Sequence, residues 1–431
     1  MNLAHRIRHR GTLLAEKKVT FERTHQAFSY FFLLMMTSGI GNAFFGGSIL
    51  AGWKQLILIV GYVMCFSLVK KTPDLRRIFM STIFIQITLV MTSMIAGIAP
   101  EVVFYNLFYY SAWVPFFIWA ARGGTDYYLK KYGKLTFYLV IACGIGLVID
   151  SKTDIFMFLA TRQAELDMDY FSQHTDTVKR SAFIFTTSTL VMPVLGGMVV
   201  VGLLRNHTAM RAAISAVVIL IGIVTSASAN SAVLSAGLLL GMLMQLGMKP
   251  IRIVGTALVF SVAIFIVGPM VGDDEFVAKQ IGQIAGHQSL ADEGNTGRLW
   301  HWGKALDDIQ EFSIIEHIVG SGLGTSNSNN GNVNVLHTHG ESSFFQAYLE
   351  GGILGLTLRL LPFFLIATLV KSNSLNNRPY LILGYIFTVF LVDAVAPLFG
   401  NIPSQALLGF LMGELYLSRK KLLKPSQWKT A

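Results

Sequence analysis

The sequence predicts an all-α, polytopic membrane protein with about twelve transmembrane helices. The 431-residue chain is 53% hydrophobic and only 13% charged, and its mean hydropathy is +0.56. Soluble domains carry about 25% charged residues, so composition excludes a water-soluble enzyme and a disordered or fibrous chain. Helices are expected rather than barrel strands, because the apolar runs are long and lipid offers no partner for open backbone groups.

The predicted spans are windows of about 20 apolar residues, the length that crosses a bilayer as a helix. They lie near 28–46, 52–69, 78–98, 102–121, 135–150, 183–204, 211–229, 231–248, 253–271, 353–370, 379–398 and 404–418. The chain then divides into a basic cytoplasmic tail (1–26), spans one to nine (27–271) with an outer loop at 151–182, a large periplasmic loop (272–352), spans ten to twelve (353–418) and a cytoplasmic tail (419–431).

The 34 basic residues are distributed unevenly between the two sides of this topology. Most of them fall in the two tails and the inner connections, and every inner connection carries at least two positive charges. The positive-inside rule therefore predicts that both termini are cytoplasmic. Most of the 24 acidic residues fall on the outer side. Most of the net charge of +10 is therefore accounted for by the basic residues of the inner side, which fix the orientation, and nucleic acid is not an expected partner.

The two long connections both lie on the outer side, whereas the inner loops are short and the chain contains no GxxxxGK[ST] motif. Activity is therefore expected at the outer face, without ATP hydrolysis. The first outer loop ends at Arg180, where the sixth span begins. This arginine either anchors the helix end at the interface or takes part in function, and its position leaves both alternatives open.

The second outer loop contains a segment with helical periodicity over residues 297–312, with Leu299, Trp302 and Leu306 on one face. Arg298 lies in its first turn, where the helix dipole also favours an anion. Arginine can bind phosphate through two parallel hydrogen bonds, so this position predicts an anion site. The glycine-rich run GSGLG at 320–324 is interpreted as a flexible turn and only weakly as a phosphate loop.

The run HTHGE brings together His337, His339 and Glu341. A zinc site is one interpretation, but no second set of ligands accompanies the run. A solvated loop with incidental histidines is another. We favour general acid–base chemistry, because His and Glu at a partly dry surface are the residues whose pKa values can be brought towards neutrality.

Two charges fall within predicted spans: Arg359 in span ten and Asp393 in span eleven. Both lie five or six residues from the predicted outer end, so they could pair in an outward-facing cavity. Ionisable groups at such a depth require a partner or water. A structural ion pair and a catalytic role are both open interpretations.

One ordered combination of motifs resembles a known family. It consists of the helix start GNTGRLWHWGKALDDIQ, the turn IVGSGLGT and the segment HTHGESSFFQAYLEGGILGL. Together they are similar to the signature region of the O-antigen ligase/polymerase superfamily, the Wzy and WaaL type. Arg180 followed by SAFIFTTSTLVMP resembles, more weakly, the family's arginine at the entry of a span. The specific match covers about 60–80 residues, and the rest agrees only in hydropathy.

This resemblance implies a GT-C-like membrane glycosyltransferase that acts on undecaprenyl-pyrophosphate-linked glycans at the periplasmic face of the bacterial inner membrane. It implies no cofactor and no metal. Arg180 and Arg298 would neutralise the pyrophosphate leaving group. His339 would deprotonate the acceptor hydroxyl, with Glu341 or His337 as the alternative base, and the attack would invert the anomeric centre.

The resemblance favours the polymerase branch, which joins repeat units, over the ligase branch, which transfers the chain to lipid A-core. Ligases and protein-glycosylating relatives usually have a His-Asn pair where this chain has Glu341 and Ser342. A chain-length regulator is a candidate partner in addition to the glycan substrates and the bilayer. A lipid-linked oligosaccharide flippase or carrier is a more remote alternative. It is disfavoured because the sequence has no convincing internal repeat or pair of broken helices, and because the polar groups gather outside the spans.

Overall fold

A computed structural model describes residues 21–45, 52–153, 183–185, 188–226, 229–247, 298–326, 342–371, 379–395 and 401–423. All regular secondary structure in these ranges is helical. The helices of the first half are α1 (Phe21–Met36), α2 (Ser38–Phe45), α3 (Trp53–Val69), α4 (Pro73–Ile95), α5 (Pro100–Asn106), α6 (Trp113–Trp119) and α7 (Thr125–Lys152). Those of the second half are α8 (Ser188–Leu203), α9 (Ala209–Ser226), α10 (Ala229–Gln245), α11 (Arg298–Gln310), α12 (Ile314–Val319), α13 (Ser343–Lys371), α14 (Tyr380–Val395) and α15 (Ile402–Leu423).

The described helices are those of a membrane-embedded protein. By length and composition, 4 helical stretches could cross a bilayer, or 5 if the bent pair α1 and α2 is one span; one of the four, Trp113–Ser151, includes both α6 and α7. Shorter apolar helices of 10–17 residues occur within α3, α8, α10 and α14. The ninth predicted span, 253–271, lies outside the described residues. The count of twelve spans stays a prediction.

The predicted span at 102–121 is not one helix, which corrects the sequence interpretation. It consists of α5 and α6, separated by a turn at 107–112. Side chains from other helices donate to the carbonyls around this turn: Gln55 Nε2 to Tyr105 O at 3.2 Å, Gln86 Nε2 to Leu107 O at 3.4 Å, Tyr62 Oη to Ser111 O at 2.9 Å, and Gln405 Nε2 to Tyr109 O. Backbone groups have no water to bond inside a bilayer, so these donors are what allow the span to be interrupted.

The predicted inner connection at 122–134, which contains Arg122, Lys130, Lys131 and Lys134, is mostly helical. A five-residue π-helical turn, Ala120–Gly124, joins α6 to α7, and Gly123 has a φ of +94°. The Trp119 and Tyr128 rings lie 6.2 Å apart, whereas nine residues of straight helix would separate them by about 13.5 Å. The helix is therefore broken at Arg122 and Gly123, and α6 and α7 are separate segments.

The first predicted span, 28–46, is also interrupted. The axes of α1 and α2 differ by 86°, and the break lies at Thr37. Gly39 N donates to Ile184 O at 2.8 Å, which replaces a helical bond lost at the bend. A Cβ atom on Gly39 would collide with the same carbonyl, so a side chain there would prevent this contact.

Three of the basic segments assigned to the inner side meet on one face of the bundle. Arg122 donates to Thr72 Oγ1 at 3.1 Å, and Thr72 lies between the basic pairs at 70–71 and 76–77. Arg205 forms an exposed ion pair with Asp126 at 2.8 Å. We call this surface the basic face. The opposite end of α4, near Ile95, therefore lies at the other side of the bundle.

Candidate polar site around the broken helix α13

The central feature of the site is that α13 folds back on itself. Arg359 Nη2 donates to Ser343 Oγ at 2.7 Å. The two residues are 16 positions apart in the chain, and a straight helix would separate them by about 24 Å. The break lies at Gly352, whose φ of 56° and ψ of −148° are not helical. α13 therefore has two arms, 343–351 and 353–371. The second arm is about 28 Å long at 1.5 Å per residue and is long enough to span the hydrocarbon core.

Arg359 lies where the two arms meet α14. Its guanidinium donates to both carboxylate oxygens of Asp393: Nε to Oδ2 at 3.0 Å and Nη2 to Oδ1 at 2.7 Å. Ser343 Oγ also donates to Asp393 Oδ1 at 2.6 Å. All three side chains are buried. The two charges with matching predicted depths thus form an ion pair, and the pair holds the beginning of the first arm.

Glu350 forms a second buried polar cluster, two residues before the break. Its carboxylate accepts hydrogen bonds from Tyr110 Oη at 2.6 Å, Ser326 Oγ at 2.6 Å and Gln346 Nε2 at 3.2 Å. Tyr109 Oη donates to Gln346 Oε1 at 3.2 Å. The donors come from the α5–α6 turn, the glycine-rich turn and α13 itself. A buried carboxylate requires such donors, so this cluster joins the three segments.

The glycine-rich run at 320–324 is neither a flexible turn nor a free phosphate loop. Ser321 N and Ser321 Oγ both donate to Leu349 O, at 2.9 and 2.8 Å, and Gly322 N donates to Glu350 O at 3.1 Å. Leu323 N donates to Ser93 Oγ on α4 at 2.9 Å. The break in α13 removes helical partners from the carbonyls near its end, and the turn replaces them. The amides of Ser321, Gly322 and Leu323 are therefore already bonded.

Helices α11 and α12 also belong to this packed unit. The helix predicted over 297–312 is present as α11, beginning at Arg298. Trp302 packs against Phe345 with ring centroids 6.3 Å apart. On α12, His317 Nδ1 and Tyr348 Oη are 2.8 Å apart. Both helices therefore contact the first arm of α13.

The predicted catalytic and anion-binding residues are only partly placed. Arg298 is the first residue of α11, which confirms its predicted position in the first turn of this helix, but its side chain is not among those described. Arg180, His337, His339 and Glu341 lie outside the described residues. Their assigned roles stay predictions.

Sequence reasoning missed Glu350, Tyr110 and Gln346 as members of a polar site. In the sequence, Glu350 stands out only as part of the segment HTHGESSFFQAYLEGGILGL, and Tyr110 falls within the predicted span 102–121. One signal was available: Glu350 is a lone acid within an apolar run, directly before two glycines. Isolated carboxyl groups in such runs require dedicated donors.

The space beside Arg359 is small. A cleft of about 170 Å³ is lined by residues from α6, α13 and α15, among them Trp113, Phe363 and Gln405, and it does not admit a water-sized sphere. Within the described ranges, no group of three or more His, Cys, Asp or Glu residues could hold a metal ion. In this conformation the cleft beside Arg359 is too small for a sugar substrate.

Comparison with known proteins adds no family assignment. No protein-family model matches the chain, and no curated protein is significantly similar to it.

Proposed function

We propose that this protein is a membrane glycosyltransferase that polymerises undecaprenyl-pyrophosphate-linked oligosaccharide repeat units into O-antigen or a related surface polysaccharide, at the periplasmic face of the inner membrane. The observation that carries the proposal is that three motifs of the resemblance meet in one packed unit. α11 contacts the first arm of α13 through Trp302 and Phe345, and the glycine-rich turn bonds Leu349 and Glu350. Separate motifs of a shared site are expected to converge in this way.

The position of Ser343 gives further support. It is held by Arg359 and Asp393, and it follows Glu341 by two residues in the sequence. The HTHGE run therefore ends directly before a rigid anchor. Catalytic groups act best when fixed to rigid elements, and a buried charged pair is a strong anchor.

In the proposed reaction, the acceptor hydroxyl attacks the anomeric carbon of the donor sugar while the bond from that carbon to the pyrophosphate oxygen breaks. His339 takes the acceptor proton, with Glu341 or His337 as the alternative. Arg298, in the first turn of α11, and Arg180 neutralise the pyrophosphate that leaves. The products are a glycan longer by the transferred unit and undecaprenyl pyrophosphate.

The test is elongation of synthetic undecaprenyl-pyrophosphate repeat units by the purified full-length protein, followed as a ladder on a gel. We expect Arg298→Ala to lower the rate by about 100-fold or more, as removal of a charge-stabilising donor does in other enzymes. Lys304→Ala is the matched control, because Lys304 is an exposed residue of the same helix. Normal elongation by Arg298→Ala, or by the double variant His339→Ala/Glu341→Ala, would contradict the assignment.

Two further arms of the same assay address the alternatives. EDTA treatment followed by zinc addition tests the expectation that the reaction needs no metal. Supplying lipid A-core as the acceptor tests the ligase function, because a ligase would label that acceptor and would not extend the repeat units.

A carrier of lipid-linked oligosaccharides is a second candidate, and specific observations favour it. The sequence argument against a carrier was the lack of broken helices, yet α13 breaks at Gly352 and α1 and α2 meet at 86°. Buried polar groups also lie inside the bundle, such as Arg359 and Asp393. Transporters commonly use broken helices and intramembrane charges. Proteoliposomes that equilibrate a lipid-linked oligosaccharide between leaflets, without elongating it, would support the carrier and exclude the polymerase.

A further inference from the structure

The short helix α12 has a surface of exposed apolar side chains. Ile314, Ile315 and Ile318 are 82%, 71% and 47% exposed. Their spacing places them on one side of a helix. A capping box in which Ser313 and Glu316 bond each other fixes the beginning of this helix. We call these three side chains the isoleucine ridge.

Two neighbours show the depth at which the ridge lies. The turn after α12 bonds Ser93 near the end of α4. α4 starts at the basic face, and its 23 residues extend about 35 Å, slightly more than the hydrocarbon thickness of about 30 Å. The end of α4 therefore reaches the opposite membrane boundary, and α12 lies beside it.

The second depth marker is the break in α13. A Cβ atom on Gly352 would lie 2.5 Å from the Ile318 carbonyl carbon, so α12 crosses α13 at this point. The second arm of α13 begins at the next residue and has the length of one bilayer crossing. Both markers place α12 at the membrane boundary remote from the basic face.

The two helices beside the ridge, α4 and the second arm of α13, also carry exposed apolar side chains. Along α4, a stripe of side chains is more than half exposed, including Phe84, Ile87 and Ile95 at 72%, 58% and 81%. Ile353, the first residue of the second arm of α13, is 53% exposed. Exposed apolar stripes on long apolar helices face hydrocarbon.

We propose that the isoleucine ridge inserts into the lipid headgroup and upper acyl region of the outer leaflet, so that α12 is an interfacial helix that anchors the large outer loop to the bilayer. The position of the ridge beside the end of α4 and the break in α13, where Ile95 and Ile353 are also exposed, identifies lipid as the occupant. A contiguous apolar patch of this kind is unusual on a water-facing surface, and interfacial helices insert their apolar side to this depth. The proposal does not depend on the glycosyltransferase function.

Nitroxide labels on single cysteines test this contact in the full-length protein reconstituted in nanodiscs. The native cysteines, Cys65 and Cys143, are buried and serve as the unlabelled background. The test variant is Ile315→Cys, with Ile95→Cys as the lipid-facing reference and Lys304→Cys as the matched water-facing control on α11. Accessibility of each label to oxygen and to a neutral nickel chelate reports its depth.

We expect the Ile315 label to resemble the Ile95 label, with its accessibility to the nickel chelate reduced at least fivefold relative to the Lys304 label. Equal nickel accessibility at Ile315 and Lys304 would show that the ridge faces water and would overturn the proposal. Protection of Ile315 from both reagents would show that protein covers the ridge, which also overturns it. Gel filtration of each variant verifies folding, and Ile318→Cys repeats the test if Ile315→Cys is misfolded.

Discussion

Two interruptions of apolar helix, one between α5 and α6 and the other within α13, are stabilised in different ways. Around 107–112, donors come from the side chains of Gln55, Tyr62, Gln86 and Gln405. At Gly352, two backbone amides of the glycine-rich turn supply the donors, together with one serine hydroxyl. The first break therefore depends on the identity of a few polar side chains. The second depends on close backbone approach, and hence on glycine.

The break in α13 also differs from the α5–α6 break because a buried ion pair holds the two arms of α13 together. Arg359→Ala should have the largest effect, a loss of about 3–5 kcal/mol in the free energy of unfolding, because Asp393 would stay buried without its cation. This loss in the free energy of unfolding is measured by unfolding the protein in mixed micelles. The double variant Arg359→Met/Asp393→Leu should recover much of the loss. A double variant no more stable than Arg359→Ala would show that the pair does not hold the arms through its charge.

The dependence on glycine is tested at adjacent positions. Gly352→Ala should cost about 3 kcal/mol or more, because φ is positive there and the Cβ would meet the Ile318 backbone at 2.5 Å. Gly351→Ala is the matched control, since its Cβ would lie an ordinary 3.5 Å from Leu89. We expect the control to change the thermal unfolding temperature little. Similar losses in both variants would argue against a specific backbone requirement at Gly352.

The dependence on side chains is tested at Gln86. Gln86→Met keeps the approximate volume but removes the donor to Leu107 O, and we expect a loss of about 0.5–2 kcal/mol, the range for hydrogen bonds between membrane helices. Ile87→Met, at an exposed position of the same helix, should be close to neutral. Denaturant titration of the two variants compares them directly. Equal stability would mean that the α5–α6 break does not rely on this amide.

The smallest effect is expected at Ser321. Ser321→Ala removes one of two donors to Leu349 O, but Ser321 N still donates at 2.9 Å. The loss should be a few tenths of a kcal/mol, less than for Gln86→Met. If Ser321→Ala were the more damaging of the two, the distinction between backbone and side-chain support would be wrong.

Sequence reasoning located most helices but not the breaks. Hydropathy found α3, α9 and α10, and periodicity found α11, because both signals come directly from side-chain polarity. The turn at 107–112 contains neither glycine nor proline, and its donors are distant in the chain, so no local pattern predicts it. Gly351 and Gly352 were visible in the sequence, but the reversal depends on contacts with residues 318–322.

The same limits apply to the polar site. Arg359 and Asp393 were recognised because charges are rare inside spans. Glu350 and Tyr110 come together only through the fold, across 240 positions of the chain. The glycine-rich turn was misinterpreted because glycine permits both mobility and close packing, and only its bonded amides distinguish the two.

The reversal of α13 has a consequence for biosynthesis. Arg359 precedes Asp393 by 34 residues, so the arginine emerges from the ribosome while its counter-charge is still behind it in the chain. The nascent segment can reach its folded-back form only after α14 arrives. We therefore expect the two hydrophobic segments to insert together, rather than one helix at a time.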